Sequence, residues 1–333
     1  DLLRSRGLGD VYKRQYLMRS GAMLSDGLAR PFKTNNYAHT KAYALSISDD
    51  ITWSDWTLNL GVRHEDIEGS VDNKLLDVIT ENSQSITAPG LGLHRQLTEK
   101  MSLLAGVYVG FSPSGPGKSG AESEESVNIE YGVRYDDGQF SGEIIVFESD
   151  YDNLLGRCRA SDSDCQVGQE FSGGNVEVSG VEVFGQFQRS LSGGVILASQ
   201  LNYTFSESKF KGAFFSQFSQ WGLVEKGDEL PYIPRHAGRW QVGLETDIWA
   251  IDLALKYQHG MREVPGSGQI ADDLHTDNLT TLDASLTWFV NEQMDLRLLT
   301  RNLTDETAIV SHRPYGARPN FPRTLMAQMK YRF

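Results

Sequence analysis

The sequence predicts an all-β protein, an antiparallel up-and-down transmembrane β-barrel represented by an incomplete wall of about 13 strands. Three observations predict it. The final stretch RTLMAQMKYRF puts Leu325, Ala327, Met329, Tyr331 and Phe333 on one face. Thr324, Met326, Gln328, Lys330 and Arg332 take the other. Period two with one apolar and one mostly polar face describes a strand lying between an oily medium and a wet one. The same pattern recurs back to Tyr37, and the segments are joined by short and long connections in strict alternation.

Taken in order, Tyr43, Leu45 and Ile47 alternate before the turn DDITWSDW. Trp56, Leu58, Leu60 and Val62 follow it, opposite Thr57, Asn59, Gly61 and Arg63. Strands near 86–97 and 101–111 flank a short LTEK turn, the second with Met101, Leu103, Ala105, Val107 and Val109 on one face. In 127–135, Val127, Ile129, Tyr131, Val133 and Tyr135 oppose Asn128, Glu130, Gly132 and Arg134; Asp136-Asp137-Gly138 then turns the chain into 139–150, a strong hairpin signal. Strands near 176–189 and 195–206 flank Ser190–Gly194. Those near 236–246 and 251–259 flank Ile248-Trp249-Ala250, with Ile251, Leu253, Leu255 and Tyr257 opposite Asp252, Lys256 and Gln258. Strands near 278–290 and 294–302 flank Asn291-Glu292-Gln293.

The short connections fall at 49–55, 97–100, 136–138, 190–194, 247–250 and 291–293. The long ones fall at 66–84, 112–125, 151–175, 207–235, 260–277 and 303–322. One trimmed rim and one elaborated rim suit a barrel with short periplasmic turns and long extracellular loops. A soluble sandwich has no reason to place every long loop on one side. An odd strand number cannot close such a barrel, and an open edge in hydrocarbon strands N–H and C=O groups at several kcal/mol each, so more of the chain is expected.

Composition narrows the function. Mean hydropathy is −0.37 and no long apolar run occurs, which excludes a helical membrane protein but not a barrel. The net charge of −13 argues against nucleic acid. The two cysteines, Cys158 and Cys165, would close one small loop in an oxidising compartment. Neither CxxC nor a Cys/His cluster at ligand spacing is present, so no metal site and no cofactor are expected. The seven histidines are scattered, with no HExxH or GxSxG, and a His259–Ser267 pair has no support in its spacing. The chain therefore reads as a non-enzyme. Residues 1–15, DLLRSRGLGDVYKRQ, resemble translated adapter sequence and stand apart from the barrel segment 16–333, the alternative being a native loop.

Several stretches resemble TonB-dependent outer-membrane receptors. RNLTDETAIVSHRPYGARPNFPRTLMAQMKYRF is similar to their C-terminal end, with Asn-Leu-x-Asp, a Gly/Pro loop, Pro-Arg-Thr and a last strand ending in Phe. WTLNLGVRHEDIEG, ESVNIEYGVRYDDGQFSGEIIVFESDYDNLLG and SGVEVFGQF resemble their barrel strands. The 151–175 loop, with DYDNLLGRC and a second Cys, is similar to the ferric-dicitrate branch. The resemblance spans residues 37–333 and implies a plug inside a barrel of about 22 strands, roughly nine more than here.

It further implies active import of a ferric siderophore or ferric citrate, driven through TonB-ExbB-ExbD. Outer-membrane lipids, lipopolysaccharide and the barrel assembly machinery are the other expected partners, the last reading Tyr331 and Phe333. Candidate ligand contacts are Arg157, Arg159, Arg262, Arg313 and Arg318, because an anionic chelate suits bidentate, charge-assisted donors, with Tyr315 and Trp221 as stacking surfaces. Their competing role is pairing with loop acids or lipopolysaccharide phosphates. The acidic clusters Glu122–Glu125 and Asp162–Asp164 are expected to be solvated loop charge rather than calcium sites. Lumen-facing Arg63, Glu130, Arg134, Glu182, Arg297 and Arg301 are expected to pair with one another or with a plug. A passive porin, and after it an outer-membrane enzyme or adhesin, are the alternatives.

Overall fold

A computed structural model describes residues 18–19, 22–23, 35–118, 122–157, 170–216, 221–270, 274–312 and 316–333. A single 13-stranded antiparallel sheet dominates it, each strand paired with its neighbours in sequence. The strands are β1 Asn36–Trp53, β2 Trp56–Asn73, β3 Val78–Thr98, β4 Met101–Ser112, β5 Glu124–Asp136, β6 Phe140–Asp152 and β7 Val176–Ser190. They continue as β8 Ile196–Phe210, β9 His236–Glu245, β10 Trp249–Gln258, β11 Leu279–Asn291, β12 Met294–Arg301 and β13 Thr324–Tyr331. β1 and β13 do not pair with each other, so the wall is open at both edges.

Burial is inverted relative to a soluble sheet. Ile251, Leu253, Leu255 and Tyr257 on β10 stay between 37 and 45 % exposed. The opposite face of the wall carries buried Ser102, Ser126, Asn128 and Ser285. Register carries the apolar rows across strands, as in Leu103 opposite Val133, Val133 opposite Ile144 and Ile144 opposite Val183. So large a continuous apolar surface is unstable in water and fits hydrocarbon. At the short-turn rim the outward side chains become aromatic. Trp53 stacks on Trp56 (6.4 Å), Tyr135 meets Phe140 (6.0 Å), Trp249 lies opposite Trp288, and Tyr331 meets Phe333 edge-on (5.2 Å). Such a girdle marks a bilayer interface.

The polar face is wired internally. Arg134 pairs with Glu143 (2.9 Å), Lys256 with Asp283 (2.6 Å), Arg332 with Asp295 (2.7 Å) and Arg63 with Glu65. Tyr108 donates its hydroxyl to Glu130 at 3.0 Å.

One expectation needs correcting. The stretch 66–84 is not a long loop: β2 and β3 run on through it and turn at residues 74–77. Beyond the hydrocarbon a strand needs no apolar face, so the hydropathy signal fades while the backbone ladder continues. The remaining long connections lie where expected, and three contain short hairpins of their own.

Candidate ligand-binding rim

The long connections gather at one end of the wall and are tied together by polar side chains. At their base stands Asn302, just past β12. Its positive φ (50°) suits asparagine, and its side chain is 4 % exposed. Nδ2 donates to the carbonyls of Glu306 (2.9 Å) and Phe321 (3.0 Å), and Oδ1 accepts the N–H of Glu306 (2.9 Å). Asp305 then accepts from Arg323, through the backbone N–H at 3.1 Å and the guanidinium at 3.2 Å. Asn-Leu-x-Asp and Pro-Arg-Thr are thus partners that close the base of the 302–323 connection.

Higher up, the dipeptide Arg262-Glu263 joins three connections. Arg262 is 7 % exposed, donating from Nε to Glu229 (2.8 Å) and from Nη2 to the Gly268 carbonyl. Glu229 also takes Arg235 at 3.2 Å, and Arg235 lies 3.5 Å from Glu207. Glu263 is 1 % exposed. It accepts the Tyr232 hydroxyl (3.0 Å), the His312 backbone N–H (2.7 Å) and the His312 ring Nδ1–H (2.8 Å). Burial pushes its pKa up, but the His312 and Tyr232 hydrogen bonds together outweigh burial and hold the carboxyl below its ordinary value.

A second anchor lies above β6–β8. Val176, Phe210 and Val224 are fully buried, with Tyr151, Leu154, Phe214 and Trp221 packed on them. Further along, Gln84 brackets Ser114, donating to its carbonyl and accepting its N–H, both at 2.9 Å. Glu170 accepts the Gly115 N–H at 2.8 Å.

Of the residues expected to meet ligand, Trp221, Arg262 and Arg318 are described. Trp221 is half-buried and edge-on to Phe210 (6.1 Å). Arg262 is engaged by Glu229. Arg318 is exposed, in the pair formed by Ile309–Ser311 and Arg318–Pro319. The three occupy three separate connections. Arg157 has its backbone in the short strand Leu155–Arg157, and its side chain lies outside the described residues. Cys158, Arg159, Cys165, Arg313 and Tyr315 also lie outside them. His259 does not approach a nucleophile pair with Ser267 through its Nδ1, which meets the Tyr257 hydroxyl at 3.1 Å. Glu229, Glu263, Tyr232 and His312 were not singled out by pattern, because four polar residues spread over three loops leave no spacing to read.

The family model described as TonB dependent receptor-like, beta-barrel matches residues 4–303. The chain belongs to that family. TonB-dependent receptor barrels are outer-membrane proteins of Gram-negative bacteria. Solved structures share the fold. The ferric citrate transporter FecA, unliganded, aligns with a TM-score of 0.71 at 21 % identity, covering 94 % of this chain and 48 % of its own. The ferric-catecholate import receptor Fiu from E. coli K12, closed form, gives 0.69 at 19 %, covering 95 % and 47 %. The ferric yersiniabactin uptake receptor FyuA from Yersinia pestis gives 0.66 at 20 %, covering 90 % and 47 %. The chain spans about half the length of these structures.

Proposed function

We propose that the protein is an outer-membrane receptor that binds an extracellular ferric chelate, a siderophore or ferric citrate. Import to the periplasm would draw on proton-motive force transduced by TonB. The observation that carries the reading is the asymmetry of the wall in a TonB-dependent receptor barrel. One rim is trimmed to tight turns, whereas the other is built into a cross-linked polar surface by the Arg262-Glu263 clasp and the Asn302 hub. Unequal rims are common to outer-membrane barrels, and it is membership of the TonB-dependent receptor family that favours this reading over a passive pore. The fold neighbours, whose own names describe ferric citrate, catecholate and yersiniabactin uptake, add support.

The test is accumulation of radioactive iron, supplied as ferric citrate, catecholate or hydroxamate, by iron-starved cells expressing the full-length receptor. Uptake of one chelate that requires both the receptor and functional TonB is expected. Uptake that persists without TonB, or absence of uptake for every chelate, overturns the proposal.

A further inference from the structure

The ladder between β3 and β4 stops short. Toward β2, β3 is paired from Arg95 opposite Trp56 up to Val78 opposite Asn73. Toward β4, the pairing ends at Gly90 opposite Tyr108. Pro89, the next residue, accounts for the stop. Gln96 donates its N–H to the Asp55 carbonyl at 2.8 Å, on the β2 side. Backbone groups alternate in direction along an antiparallel strand, so even-numbered residues of β3 bond β2 and odd-numbered ones face β4. Pro89 is odd and has no N–H to give to Val109. Above it, Glu81, Ser83, Ser85 and Thr87 turn their N–H and C=O groups away from β2. Among the described residues, no strand pairs with that edge.

The strand that would have covered it leaves. β4 stays beside β5 as far as Ser112, opposite Glu124, and Pro113 follows. The chain is then held over the inner face, where Asn82 accepts the Gly117 N–H at 2.7 Å and Gln84 brackets Ser114. A slot remains in the place of a continued β4, a cavity of about 460 Å³. Five consecutive residues, Glu81–Ser85, line one side, and Glu122, Ser123 and Glu125 lie on another. Consecutive residues of a strand share an edge rather than a face, so the side offered by β3 is main chain. The outward residues beside the slot are polar and exposed, so it stands above the apolar rows and is open to water.

From this we infer that the slot binds an extended, basic polypeptide segment from outside the cell, which enters as an added strand along β3. A row of donors and acceptors at strand spacing is matched by another main chain. Charge sets the kind of segment. Glu81, Glu122 and Glu125 line the slot and are exposed, against one lysine, Lys118. Glu81 shares the outward row of Pro89 and Leu91, and Glu125 that of Val127 and Ile129. A strand between them sets every second side chain between two carboxylates, so lysine or arginine at alternate positions is the complement. This binding is separate from chelate uptake and does not depend on it.

The probe is a fluorescent eight-residue peptide alternating lysine and threonine, titrated into the full-length receptor in detergent and followed by anisotropy. Saturable binding that weakens with salt is expected, with slowed amide exchange at 81–87. A copy of the peptide N-methylated at alternate residues keeps the charge and loses donors, and should bind about ten-fold more weakly. Ser83→Pro removes one slot-facing N–H, leaves the ladder to β2 intact and should weaken binding about as much. Glu81→Gln combined with Glu125→Gln should also weaken it and reduce its salt dependence. Heat-modifiable migration on gels checks that each variant is folded; if the proline variant is not, the N-methylated peptide on the parent decides. Equal binding of the N-methylated peptide assigns the contact to charge alone and overturns the inference. Equal binding of a glutamate–threonine peptide, unchanged affinity in folded Ser83→Pro, or no saturable binding of the lysine–threonine peptide also overturns it. So does slow exchange at 81–87 in the peptide-free receptor, which would mean that the full-length protein already pairs this edge.

Discussion

The carboxylate of Glu263 accepts both the backbone N–H and the ring Nδ1–H of His312, at 2.7 and 2.8 Å, and so welds the 259–278 connection to the 302–323 connection. Its pKa lies below the ordinary value of 4.5. A depressed carboxyl contributes stability that is fully present above its unfolded value and is lost as pH falls through the folded one. The clasp should therefore hold at neutral pH and loosen as pH drops below about 4.5, measured as faster hydrogen exchange around 229–235 and 309–312. Glu263→Gln should flatten that pH response. Glu263→Ala, which strands three donors, should cost about 2 kcal/mol of local protection at neutral pH.

Asn302→Ala removes two donors and one acceptor from a buried site; the Glu306 N–H loses its acceptor, while the Glu306 and Phe321 carbonyls keep only the Asn320 amide. A loss of about 2–3 kcal/mol is expected, measured by urea unfolding in lipid vesicles. Arg323→Ala, at an exposed pair with Asp305, should cost under about 1 kcal/mol.

The inverted faces make opposite predictions for neighbouring strands. Leu253→Arg, on the outer face, should destabilise by about 2–4 kcal/mol in a bilayer. Gln241→Arg, on the inner face opposite Ala254, should cost far less in the same vesicles. Equal costs would refute the assignment of the outer face to lipid.

Gly180 leaves no room for a side chain. A Cβ there would come within 2.0 Å of the Phe205 carbonyl oxygen and 2.8 Å of the Phe147 ring. Gly180→Ala should cost about 1–3 kcal/mol by overpacking, visible as a lower melting temperature of the heat-modifiable band. An unchanged melting temperature would mean that the strands part easily at this point.

The wall was legible because its signal is local and repeated. Thirteen alternating segments, each set by lipid on one side, can be read strand by strand, as Ile251–Tyr257 and Val127–Tyr135 show. The 66–84 stretch looks like a loop in the sequence because that signal stops there, Asn82 and Gln84 facing loop backbone rather than lipid. The motif residues Asn302, Asp305 and Arg323 were visible, but their mutual bonding was not. The rim was least legible. Glu263, Tyr232 and His312 are brought together by chain path, and no periodicity records that.

The unbroken pairing of β7 with β8, from Val176 opposite Phe210 to Ser190 opposite Ile196, limits what insertions the wall can accept. One residue added within either strand would rotate every later side chain by half a turn of the pleat, sending valines to the lumen and glutamates to lipid. Two added residues would restore the facing. Length changes inside strands should thus survive in pairs or within a bulge, while the exposed Ser192–Gly194 turn that joins β7 to β8 lies outside the ladder and can grow by any number. An epitope tag or a fluorophore belongs there.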